Sequence, residues 1–232
     1  MEYEDMKEAI FLRRTNRFSA FVSLEGEEIQ VHVKNTGRCK ELLQEGAKVF
    51  LEPAKNPKRK TKYSLISVYK GDVLVNMDSQ APNQVVAEAL AEGRISEIGD
   101  VTFLQREVTF GNSRFDLYFE GGGRRGFIEV KGVTLEENGI CRFPDAPTTR
   151  GTKHVLELIQ AVEAGYEAYV LFVIQMEGTK AFCPHWERDE KFAKALMEAE
   201  EAGVHFLAYD CKLGVKSLHL SKKVFSTIER IR

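Results

Sequence analysis

The 232-residue sequence contains no apolar run near the ~20 residues that a bilayer-crossing helix needs. A membrane span is therefore not expected. Its four cysteines, Cys39, Cys141, Cys183 and Cys211, lie far apart with no C-x-x-C pair, a spacing that offers neither a zinc site nor a disulfide framework. Charge of one sign is also scarce in excess: 33 Lys/Arg stand against 35 Asp/Glu, unlike a histone-like protein that coats nucleic acid over its whole surface. Any nucleic-acid surface must be local. The opening MEYEDMKEAI is acidic where a secretion signal carries positive charge, so a soluble cytoplasmic protein is the expectation. No internal repeat or low-complexity segment stands out.

What is present is 43% hydrophobic residues, enough for one large or two small cores. Over residues 18–77 the apolar positions alternate: Phe18, Ala20, Val22 and Leu24 share one face, then Ile29, Val31 and Val33, then the runs KVFLEP, YSLISVY and DVLVNM. Five short strands predict a small OB-like β-barrel. At Pro82 the period changes, and residues 83–93 read as a helix with Asn83 as N-cap and Gly93 as stop. Strands and helices then alternate around AYVLFVIQM, an almost wholly apolar central strand. The expected class is α/β: residues 1–77 an OB-like nucleic-acid-binding domain, residues 78–232 a domain with a mixed central sheet flanked by helices.

Charge divides unevenly at that boundary. Residues 1–77 hold 14 Lys/Arg against 11 Asp/Glu, and the rest hold 19 against 24. Much of the basic excess sits in AKNPKRKTKY, where Lys58, Arg59, Lys60 and Lys62 crowd a loop; phosphate binding and plain solvation compete there. In NTGR (35–38), Gly37 is expected to permit a positive φ and Arg38 to reach a phosphate, against the plainer reading of a tight turn. Phe18, His32 and Tyr63 offer stacking surfaces if the barrel binds single strands, although aromatics in small barrels usually belong to the core.

The stretch RFDLYFEGGGRRGFIEVKG (114–132) carries the chemistry. Successive strand side chains point to opposite faces, so Phe115, Leu117 and Phe119 are expected on one face with Asp116 on the other. Ile128 and Val130 likewise leave Glu129 and Lys131 opposite them, and EGGGRRG supplies hairpin glycines. An antiparallel pair would bring Asp116 near Glu129, where two carboxylates need a cation or a shared proton. Oxygen ligands suit Mg²⁺ or Mn²⁺, and an adjacent lysine can hold a water or stabilise charge on phosphate oxygens. Cross-strand ion pairs on an exposed sheet edge are the bland alternative.

Read together, VKNTGRCKELL, FDLYFE, GFIEVKGVTLEENGICRFPDAPTTRGTKHVLEL and AYVLFVIQM resemble the sugar fermentation stimulation protein family over nearly the full chain. The resemblance implies an OB-like domain joined to one similar to the PD-(D/E)xK, restriction-endonuclease-like superfamily. It implies DNA as the principal partner, with a proposed role in regulating sugar (maltose) utilisation genes. Carried over by position, the metal-binding acid is Asp116 and the E-x-K element is Glu129, Val130 and Lys131, with Glu88 of VVAEAL as a further candidate from the opening helix. The literal Pro-Asp is missing before Asp116, where Arg114 and Phe115 stand. On this reading Asp116, Glu129 and the Val130 carbonyl hold the ion, and Lys131 positions water or neutralises charge. Thr148 or Thr149 caps the next helix, at whose start Arg150, Lys153 and His154 hold substrate phosphates; solvent exposure and a structural histidine compete. Gln175 either faces the same site or marks the strand's exit from the core.

A Mg²⁺-dependent nuclease is therefore the leading expectation. A DNA-binding regulator without turnover is the alternative, and a hydrolase of sugar phosphates or nucleotides is a third. Oligomeric state is left open, a homodimer included.

Overall fold

The computed structural model describes residues 1–35 and 37–231. Six strands come first: β1 (Lys7–Asn16), β2 (Ser19–Leu24), β3 (Glu27–Val33), β4 (Lys48–Pro53), β5 (Tyr63–Lys70) and β6 (Val73–Asn76). They run in the order β3-β2-β1-β4-β5-β6, and a parallel β3–β5 pair, His32 with Ser64 and Val33 with Leu65, closes the first five into an OB-like barrel. Alternation does the work: Ala9 and Phe11, Ala20 and Val22, Val31 and Val33, Val49 and Leu51 all turn inward and are buried. The sequence reading began the barrel at Phe18 and missed β1, while DVLVNM, counted as its fifth strand, lies outside the ring as β6.

Helix α1 (Ala81–Ala91) follows, then β7 (Phe103–Phe110), β8 (Ser113–Gly121), β9 (Arg124–Val133), β10 (Leu135–Glu137), β11 (Ile140–Phe143), α2 (Thr149–Glu163), β12 (Glu167–Ile174), β13 (Ala181–Pro184), α3 (Glu190–Glu201), β14 (His205–Gly214), β15 (Ser217–Lys223) and β16 (Phe225–Ser226). The main sheet is mixed, in the order β15-β14-β12-β9-β8-β7, with β12 parallel to both β9 and β14. A small sheet, β10-β11-β13-β16, stands beside it. The apolar β12 is buried along its length because both faces are covered. On one face Leu117, Ile128, Val130, Leu171 and Val173 pack with α1; on the other Phe127, Val170 and Phe172 join a core with α2 and α3 that runs on into the barrel. Among the described residues no helix is long and apolar enough to cross a membrane.

Candidate nuclease site

The β8–β9 hairpin turns on Gly122 and Gly123, both at positive φ, as a two-residue connection of twisted strands requires. Its ladder runs from Gly121↔Arg124 to Leu117↔Ile128, where the strands part. Asp116 bridges the parting: its Oδ2 accepts the Val130 N–H at 2.8 Å, and its Oδ1 accepts Asn83 Nδ2 from α1 at 2.8 Å. The β7 ladder is also interrupted opposite Asp116, beside Glu107 with φ 55°. One expectation fails here. Phe115 does not stay with Leu117 and Phe119 but swings to the α2 side, against Phe110, Phe127 and His154.

Glu129 lies on the α2 face of β9 and is buried, 3% exposed. Its Oε1 accepts Lys131 Nζ at 2.5 Å and His154 Nδ1 at 2.6 Å. Its Oε2 is sealed from solvent and, among the described residues, has no hydrogen-bond partner. Burial alone would raise the Glu129 carboxyl, but the His154 hydrogen bond and the Lys131 ammonium hold it below the ordinary range. Asp116 goes the other way, pushed up by burial and then by the negative charge of Glu129. The two carboxylates therefore feel each other, and the Lys131 ammonium that is bonded to Glu129 also acts on Asp116 through its charge.

An orphaned buried carboxylate oxygen beside a repelled second carboxylate is a donor set of the kind hard cations bind. Among the described residues no three His, Cys, Asp or Glu side chains gather into a metal-binding group. A divalent ion here would draw on two carboxylates, a backbone carbonyl and water, a set that fits the water-retaining Mg²⁺ better than a fully caged metal.

Other expected site residues fall elsewhere. Glu88 is not in the cluster: its carboxylate takes the Met1 ammonium at 2.7 Å and Gln84 Nε2 at 2.9 Å, on the side of α1 facing β15. The α1 residue that does reach Asp116 is Asn83, which is not the N-cap; Gln80 occupies that position and Asn83 lies within the first turn. The nearest signal in the sequence was a polar side chain just after Pro82 on an otherwise buried helix. His154 is drawn onto Glu129 and is better described as its holder than as a phosphate ligand. Arg150 is exposed and its Nε lies 3.5 Å from His154 Nε2. Lys153 is exposed, reaching the Asn112 carbonyl and Glu157. Thr148 caps α2, accepting the Gly151 N–H at 3.0 Å.

In the barrel Lys58, Lys60 and Lys62 are exposed, but Arg59 is spent on its own loop, donating to the Thr61 and Tyr63 carbonyls and to Ser64 Oγ. The expected turn at Gly37 spans Thr36, which lies outside the described residues. What Gly37 shows is close approach: a Cβ there would collide with the Asp145 carboxylate, which accepts the Arg38 N–H at 2.9 Å. The Arg38 side chain is exposed at the junction of barrel and mixed-sheet domain. Gln175 is buried, and its Nε2 donates to Asn76 Oδ1 and the Asp78 carbonyl.

Two family models account for most of the chain: "SfsA N-terminal OB domain" over residues 12–77 and "Sugar fermentation stimulation protein RE domain" over residues 80–217. A curated sugar fermentation stimulation protein homolog from Alkaliphilus oremlandii is 58% identical over 97% of both chains. The chain belongs to the sugar fermentation stimulation protein family. Another family member, from Clostridium perfringens, is 50% identical over 97% of this chain and 98% of its own. The solved structure of Pyrococcus furiosus SfsA in complex with Ca²⁺ superposes with a TM-score of 0.88 at 27% identity, covering 98% of each chain. The family fold thus carries the OB-like barrel and mixed sheet described above.

Proposed function

We propose that this family member is a divalent-metal-dependent nuclease that hydrolyses phosphodiester bonds, with DNA as its principal substrate. The observation that carries this reading is Glu129 Oε2, a buried carboxylate oxygen without a partner beside Asp116 and Lys131. Asp116, Glu129 and the Val130 carbonyl would hold Mg²⁺ or Mn²⁺, which supplies Lewis-acid polarisation of a phosphoryl oxygen and water activation when bound. Lys131 Nζ, freed from Glu129, orients the attacking water or neutralises charge on the phosphate. His154 holds the Glu129 carboxylate in place, and Arg150 and Lys153 at the exposed start of α2 favour an approaching phosphate. Residues 78–232 do the chemistry, and residues 1–77 grip the strand through Arg38 and the exposed Lys58, Lys60 and Lys62. Support also comes from the P. furiosus relative, solved with Ca²⁺, a hard cation of the same oxygen preference.

The test incubates the purified chain with labelled single-stranded DNA, duplex DNA and RNA in Mg²⁺, Mn²⁺ or EDTA, beside Asp116→Asn and Lys131→Ala. Cleavage that needs metal and disappears in both variants is expected. Salt-sensitive binding, unchanged by either variant and without cleavage, would instead assign a regulator of sugar-utilisation genes. Phosphate release from small esters alone would assign a small-molecule hydrolase.

A further inference from the structure

One residue beyond Lys131, the path of β9 opens on a cleft of about 190 Å³ between the barrel and the mixed-sheet domain. Gly132, Gln175, Asn35, Arg142, Phe143 and Asp145 line it. None of them has a place in the chemistry above. The informative residue is Gln175, 1% exposed. Both of its amide hydrogens are used, on Asn76 Oδ1 at 2.8 Å and on the Asp78 carbonyl at 3.1 Å, so the orientation of the amide is fixed. Asn76 cannot turn over to release it, because its own amide donates to Tyr3 Oη and its carbonyl also accepts the Asp78 N–H. The Gln175 Oε1 is thereby held over Gly132, where a Cβ would lie only 2.6 Å away, and among the described residues no donor reaches it. A rigidly held acceptor without a donor among the described residues, and not sealed off from the cleft, is placed to take an N–H or O–H from what enters it.

We infer that this cleft takes one unpaired nucleobase of the substrate strand, so that the protein acts on single strands, ends or extruded nucleotides in preference to intact duplex. The inference rests on the nuclease reading above and names its substrate class. Size favours it: the space is smaller than the roughly 300–1,000 Å³ pockets that enclose drug-sized ligands, and suits a single planar ring system. So does chemistry, since fixed amide, guanidinium and carboxylate groups are those that pair with base edges, and Phe143 supplies an apolar wall. A paired base would first have to leave its stack.

The experiment uses the full chain and a series of single-stranded oligonucleotides, each carrying one abasic site at a different position. Cleavage in Mg²⁺ and equilibrium binding are both measured, with the intact strand and its duplex as references. The expected result is a loss of about tenfold when the abasic site occupies one fixed register from the cleaved bond, little change elsewhere, and a comparable loss for duplex. Ser79 is exposed and lines the cleft mouth, so Ser79→Phe should lower the intact strand to the abasic level and erase the register dependence. Cleavage that tolerates an abasic site everywhere would overturn the inference, leave the nuclease reading intact, and make the cleft a solvent-filled junction. If nothing is cleaved, that reading fails. Register-dependent binding would then still support the base pocket, and its absence would sink both.

Discussion

Asp116 is the residue on which the site pivots, because it is both a strand-pairing group and a charge. Its carboxylate replaces the ladder bond lost where β8 and β9 separate, yet burial and Glu129 raise its pKa, so ionisation costs the metal-free fold stability. The sign follows: its contribution is most favourable below the unfolded value near ~3.9 and is lost as pH rises through the higher folded value. Asp116→Asn should therefore abolish divalent-ion binding while leaving the metal-free melting temperature at pH 7 unchanged or higher. A large fall in that temperature, seen by calorimetry, would contradict it. His154 acts through Glu129, so His154→Ala should weaken Mn²⁺ binding by about 10–100-fold. Unchanged affinity in a titration would remove it from the site. Of these groups the sequence displayed Asp116, Glu129 and Lys131, because strand alternation leaves polar residues in apolar segments nothing else to do. It hid Asn83 and misplaced Glu88, because which side of α1 meets the sheet depends on packing that no local pattern encodes.

At the scale of elements, the start of α2 is held by two side chains in relay. Thr148 caps the helix, and Asp189 Oδ2 accepts the Thr148 N–H at 2.8 Å while its Oδ1 accepts the Phe192 N–H, capping α3. Since α2 carries His154, the caps set the position of the Glu129 holder. Thr148→Ala should cost about 1 kcal/mol. Asp189→Ala, which strips two N–H groups, should cost more, measured as the shift in denaturation midpoint at constant slope. Equal stability of either variant with the wild type would contradict this relay. The Thr148 cap was legible as a threonine pair before an amphipathic run. Asp189 was not, because its second bond crosses between helices. β1 escaped notice for a related reason: its inward Ala9 and Phe11 are few, and the outward Ile10 and Leu12 beside them hide the alternation, so only barrel closure reveals it.

For the whole molecule, barrel and mixed-sheet domain meet through buried polar groups as well as shared core. Lys34 Nζ lies 2.6 Å from Asp78 Oδ2, and Asp78 is almost fully buried. Removing the acid leaves a poorly solvated ammonium, so Asp78→Ala should destabilise by about 3 kcal/mol, against near zero for an exposed pair. Chemical denaturation decides between those values. A second tie anchors the loop after α1 to the far edge of the sheet. Burial alone would raise Glu97, but Lys223 at 2.5 Å and the Tyr209 hydroxyl at 2.6 Å bring it down to about 2. Its contribution is present above the unfolded value near ~4.3 and fades as pH falls toward about 2. Glu97→Gln should accordingly narrow the gap between melting temperatures at pH 7 and pH 3, and an unaltered gap would contradict that assignment. The α/β class and OB-like barrel were readable from the change in period at Pro82. The cleft beside Gly132 was not, since it exists only where segments far apart in the sequence face one another.

The central claim is that Asp116 and Glu129 hold one divalent ion together. Calorimetric titration of Mn²⁺ into the full chain, Asp116→Asn and Glu129→Gln tests it most directly. One site per chain in the wild type, lost in both variants with the fold intact, is the predicted result; equal binding by all three, or none by the wild type, would contradict it.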